Sequence, residues 1–237
     1  MYIGVLVFLF VMYVLVIFLM KHMKNTKVWN LVFVCVVFLL YIICVWVIYK
    51  KSGINDWNFK NVLPTANVSP FMFASSLLIL VLPKNIKQYF LVLVSLLSVG
   101  MVLSGVINCI YNAVINYNFH IHFFLDYLAH FVLSLWGVYI VKSEQVELNK
   151  KNCFIGSFLI YCVLAVMLVL NVVFDRAFFG LSLNGKHNIY NMVLVSNSYL
   201  SALIYIVGLG LVLFLGYCLH KTLNYKKFKS KVIKKDS

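Results

Sequence analysis

The chain has 237 residues, 64% of them hydrophobic and 11% charged, with a formal net charge of +14. A soluble domain carries roughly 25% charged and about 45–50% apolar residues, and one core of this size cannot hide the surplus, so lipid must cover much of the surface. The positive charge does not point to nucleic acid: the lysines lie in short clusters between apolar runs and in the C-terminal tail, as topology signals and contacts to anionic lipid do.

Apolar runs long enough to cross about 30 Å of hydrocarbon occur at Tyr2–Met20, Val28–Tyr49, Val62–Leu82, Tyr89–Ile110, Ile121–Val141, Phe154–Val173 and Met192–Leu219. They predict an all-α, polytopic transmembrane bundle of about seven spans, residues 1–220, followed by a basic tail, residues 221–237. The first run lacks a basic n-region and is read as a retained span. The last is long enough to tilt, or to break near Asn197 or Gly208. Gly100 and Ser104, four residues apart, would let helices approach closely. With the N-terminus outside, the inner segments hold fifteen lysines and the outer ones five basic residues, Lys50, Lys51, Lys60, Arg176 and Lys186. That asymmetry places the C-terminus in the cytoplasm. Arg176 is the single arginine; the lysine bias, with abundant Asn and Ile, suggests an AT-rich bacterial genome and a cell-membrane location. The six cysteines form no C-x-x-C pair and read as small hydrophobes in a bundle.

Asp126 is the only acidic residue inside a predicted span. A charge at that depth costs a few kcal/mol on insertion scales (about 2.5–3.5 for Asp). His122, Asp126, His130 and Ser134 recur every fourth residue, drifting only about 40° per step, so they form one stripe with His120 near its outer end. The stripe should face the bundle interior or a wet cavity. These groups either satisfy one another and lock helices together, or act as acid, base, ligand or proton relay. His122, Asp126 and His130 have helical ligand spacing, but no second set of ligands is evident, and neither metal nor cofactor is expected. In the third run, Pro64 and Pro70 bracket Thr65, Asn67 and Ser69, which suggests an irregular helix start carrying two hydroxyls and an amide. Asn197, between Ser196 and Ser198, can hydrogen-bond a neighbouring helix. The segment from Asp175 to Asn191 reads as an outer loop, and the tail's seven lysines should lie on an anionic inner leaflet.

Over Leu63–Val141 the chain resembles the YwaF/TMEM164 family of integral membrane proteins. The resemblance rests on Leu63-Pro64 opening a polar-to-apolar transition that ends at Lys84-Asn85-Ile86-Lys87, and on His120 and His130 ten residues apart with Phe123, Phe124 and Tyr127 between them. It implies a bundle in which a nucleophile on one span meets a histidine from another, and an activity in acyl transfer to lysophospholipid or in lipid-ester hydrolysis. Where the family has Cys this chain has Val68, so Thr65 or Ser69 would have to serve as nucleophile. On that reading His130 is general base, Asp126 its orienting partner and His120 a further catalytic candidate. His122, Asn67, Ser134 and Asn197 would contact an acyl-lipid substrate. The rivals are a proton-coupled transporter or channel using Asp126 and His130, against which no repeat symmetry is visible, and a non-catalytic subunit of an envelope complex.

Overall fold

In the computed structural model, residues 2–52, 81–115, 121–174 and 198–233 are described. Among them stand six α-helices: α1 (Tyr2–Leu19), extended by a 3-10 turn (Met20–His22), α2 (Thr26–Ser52), α3 (Lys84–Ile115), α4 (Ile121–Lys142), α5 (Lys150–Phe174) and α6 (Ser198–Ile233). Each matches one predicted apolar run. The third run, Val62–Leu82, lies outside the described residues except for its last two positions. Among the described residues three stretches are long and apolar enough to cross a membrane, Gly4–His22, Lys84–Ile107 and Ala202–Thr222, and Thr26–Leu40 and Tyr127–Lys142 are shorter apolar helices. This is a membrane-embedded helical protein. Phe18, Phe154 and Phe214 are all more than 60% exposed, which only lipid makes acceptable.

Three helices, α2, α3 and α5, start earlier than their apolar runs because groups just ahead of them serve their first turns. Asn25 Oδ1 accepts from the Val28 amide at 3.3 Å, and Asn149 Oδ1 from the Asn152 amide at 2.8 Å, satisfying orphan donors at the first turns of α2 and α5. Pro83, just ahead of α3, accepts from the Ile86 and Lys87 amides. At the end of α4, Glu144 adopts φ 56°. Its amide bonds the Val141 carbonyl, and the Gln145 amide reaches back to Ile140 at 3.1 Å, the Schellman arrangement that stops a helix in one residue. The alternative of a break at Gly208 does not hold, since α6 is continuous from Ser198 through the first lysines of the tail to Ile233. An isolated Gly costs a helix only about 1 kcal/mol, and Lys is a good helix former.

Contacts fix the direction of each helix. Gly137 abuts Ser98 while Gly105 abuts His130, so α3 and α4 run antiparallel. Gly100 meets Val212 while Gly216 meets Leu96, so α6 also opposes α3. The α1 residues Tyr13 and Ile17 bond the α4 residues Ser134 and Lys142 in the same order, so these two are parallel. One end of the bundle therefore gathers the end of α1, the starts of α2, α3 and α5, and the ends of α4 and of the apolar part of α6. Lys21, Lys24, Lys27, Lys84, Lys87, Lys142, Lys150, Lys151 and Lys221 all lie there.

The core sits where α3 and α4 face each other. Leu93, Leu96, Leu133, Trp136, Tyr139 and Ile140 are fully buried, with Phe33 and Val37 of α2 against them. Toward the lysine end a polar chain ties this core together. The Trp136 indole donates to Asn30 Oδ1 at 2.9 Å, Asn30 Nδ2 to Gln145 Oε1 at 2.6 Å, and Gln145 Nε2 to Ser143 Oγ at 2.6 Å. Removing the acceptor in Asn30→Leu leaves a buried indole N–H unpaired. The expected loss is about 1–3 kcal/mol, seen as a lowered melting temperature in detergent; an unchanged melting point would show that the chain is not holding α2 to α4.

Candidate intramembrane site

α4 is the helix most enclosed by its neighbours: between Tyr127 and Val141 nearly every side chain is buried. Two members of the predicted stripe are described there. His130 is buried, and its Cβ stands close to Gly105 of α3: a Cβ on Gly105 would lie 3.3 Å from it. Ser134, one turn further along, is fully buried and shares a 2.8 Å hydrogen bond with the Tyr13 hydroxyl of α1. Tyr13 also meets Phe131 edge-on, with ring centroids 5.8 Å apart, and Leu9, Cys109, Tyr127 and Phe131 close an apolar wall beside them. His130 and Ser134 thus share a buried face of α4, against α3 and α1, where positioned dipoles act more strongly than in water.

Asp126 and His122 occupy α4 at the expected one-turn intervals, but their side chains lie outside the described residues, as do His120, Thr65, Asn67, Ser69 and Asn197 altogether. Of the sequence candidates, His130 and Ser134 lie one turn apart on the buried face of α4, and Tyr13 joins Ser134 from α1. Beyond Ser134, toward the lysine end, α4 continues with Leu135, Trp136, Tyr139 and Ile140, all buried.

A second polar cluster, not anticipated from sequence, joins α3 to α6. His220 is 1% exposed, and its Nε2 lies 3.0 Å from the Ser95 carbonyl oxygen and 3.1 Å from Ser98 Oγ. Serine beside histidine invites a catalytic reading, but the hydrogens run the wrong way. Ser98 Oγ donates to the Ser95 carbonyl at 2.7 Å, so its hydrogen is not directed at the ring. Nε2, facing a carbonyl and an oxygen whose hydrogen is already engaged, must be the donor. A serine activated for attack needs the reverse. The cluster is an interhelical clamp. His220 carries no signal in sequence because it stands beside the basic tail, where a polar residue asks for no explanation. Tyr13 is likewise one hydroxyl in an otherwise apolar helix.

Crowding His130 tests whether its placement matters. In Gly105→Ala the added methyl sits 3.3 Å from His130 Cβ and 3.5 Å from the Phe131 ring. The expected outcome is a small stability change with a disproportionate loss of any His130-dependent activity; equal losses would assign the contact to packing alone. No family model matches the chain, and no curated protein or solved structure matches it.

Proposed function

We propose that the chain is a seven-span protein, N-terminus outside and C-terminus in the cytoplasm, that acts on the acyl ester of a membrane lipid through His130. The observation that carries this reading is a buried histidine one turn from a buried serine, Ser134, whose hydroxyl bonds that of the half-buried Tyr13. Buried polar groups confined among apolar residues suit a lipid ester better than an ion, which needs a path across. In this reading His130 is the general base, Asp126 orients its ring, and Thr65 or Ser69 supplies the nucleophile. This corresponds to what the YwaF/TMEM164 resemblance implies. Val68 in place of that family's cysteine makes the hydroxyl nucleophile the decisive point, and a chain that had lost catalysis would keep these residues for lipid binding alone.

The orientation is supported by the gathering of inner-segment lysines at one end of the bundle, while α2 leads away from that end and α3 begins at it. An odd number of crossings follows if residues 53–80 return the chain across the bilayer. Reporter fusions after Lys221 should behave as cytoplasmic and fusions near Asn116 as external; the opposite pattern at both sites would overturn the topology. Transfer or hydrolysis of a fluorescent acyl-lipid by the purified protein, absent in Thr65→Ala or Ser69→Ala, tests the chemistry.

A further inference from the structure

Away from the α4 site, α3, α5 and α6 enclose a groove of about 440 Å³. Its walls are apolar, with Leu96, Phe158, Leu213 and Phe214 among them, and Gly210 contributes no side chain to its floor. Among its lining residues the Tyr161 hydroxyl already donates to the Ile206 carbonyl at 3.3 Å, and Ser157 adds one further hydroxyl. The groove is therefore mainly apolar along its length. Lining residues run from Lys150 to Tyr161 on α5, which at 1.5 Å per residue is about 16 Å, close to half of a hydrocarbon core of about 30 Å. That is the reach of one leaflet's acyl chain.

Its mouth is different. Lys150 itself lines the groove, and Tyr217, also a lining residue, carries the Lys221 ammonium 5.5 Å from its ring centroid. Both lysines belong to the lysine end of the bundle. We propose that this groove is a binding site for one anionic glycerophospholipid of the leaflet at the lysine end, an acyl chain lying against Leu96 and Phe158 and the phosphate held between Lys150 and Lys221. Lysine serves here as a point charge on a flexible stem, and the tyrosine ring fixes where the Lys221 stem lies. The site requires only that the protein be membrane-embedded and is independent of ester chemistry at His130.

The full-length protein, reconstituted in vesicles of equal phosphatidylglycerol and phosphatidylcholine and then extracted in mild detergent, should retain phosphatidylglycerol preferentially. Each of Lys150→Gln and Lys221→Gln should weaken that preference about fivefold, the effect of roughly one lysine at a membrane surface. Ser157→Phe, which fills the groove, should reduce retention of both lipids. Lys226→Gln with Lys227→Gln, in the tail, should change nothing. Equal retention of the two lipids by the unaltered protein, loss in the tail variant matching that in the mouth variants, or full retention in Ser157→Phe would each overturn the proposal. Lipid retention is read without turnover, so inactive His130→Ala protein that still keeps phosphatidylglycerol would separate this site from the proposed reaction.

Discussion

His130→Ala is expected to lower lipid turnover per folded molecule by about 10²–10⁴, the usual worth of a positioned general base. The protein should remain folded, because the α3–α4 contact is built mainly from apolar residues such as Leu93, Leu96, Leu133 and Trp136. The substitution removes a ring from a buried position beside Gly105, so some stability is lost as well, and activity must be normalised to folded protein. Asp126→Asn keeps the shape but removes the charge that would orient the imidazole, and should give a smaller loss. Thr65→Ala and Ser69→Ala separate the remaining roles: only the one that supplies the nucleophile should match His130→Ala. If His130 and Asp126 serve only to lock helices together, both substitutions should lower folded yield and melting temperature together while specific activity stays constant. Constant specific activity in His130→Ala would remove the enzyme reading. Loss in His130→Ala with full activity in both hydroxyl variants would keep the histidine and discard Thr65 and Ser69.

The helices were legible because length and apolarity suffice: a run such as Tyr89–Ile110 has no stable alternative in a bilayer to a helix that satisfies its own backbone. Their first turns were not, because Asn25, Asn149 and Pro83 act outside the apolar window that defines a run. The buried face of α4 at His130 and Ser134 was legible, since polar residues at four-residue spacing stand out against lipid-facing ones. Its partner Tyr13 was not, because α1 is so uniformly apolar that no periodicity marks an inward face. The His220 clamp was hidden for a different reason. Ser95 and Ser98 can satisfy their hydroxyls on their own helix, as Ser95 does on the Leu91 carbonyl at 2.8 Å, so their presence in a span predicts no interhelical partner.

Glycines show the same limit and supply the largest expected effect on stability. Gly100, Gly137, Gly208 and Gly216 all lie in apolar helices, and composition ranks none above another. The structure does. A Cβ on Gly137 would stand 2.6 Å from Ser98 Cβ and 2.7 Å from the Val94 carbonyl oxygen, and one on Gly216 would fall against the Leu96 carbonyl group. Two of these obstacles are backbone atoms within α3, which cannot rotate aside as a side chain can. Without a hydrophobic drive between helices in lipid, such close approach is what holds a bundle together. Gly137→Val and Gly216→Val should therefore force α4 or α6 away from α3, at the upper end of the roughly 1–3 kcal/mol that overpacking costs. For a chain of this size that corresponds to a drop in melting temperature of about 5–10 °C. Gly216 precedes His220 by one turn, so Gly216→Val should also break the bond between His220 and Ser98 and expose the imidazole to modification by diethyl pyrocarbonate. Gly208 has no atom within 4 Å of an added Cβ. Gly208→Ala should thus leave the clamp intact and raise stability slightly, by up to about 1 kcal/mol, through better helix propensity. If Gly208→Ala and Gly216→Val destabilise equally, the close contact between α3 and α6 is not what the bundle rests on.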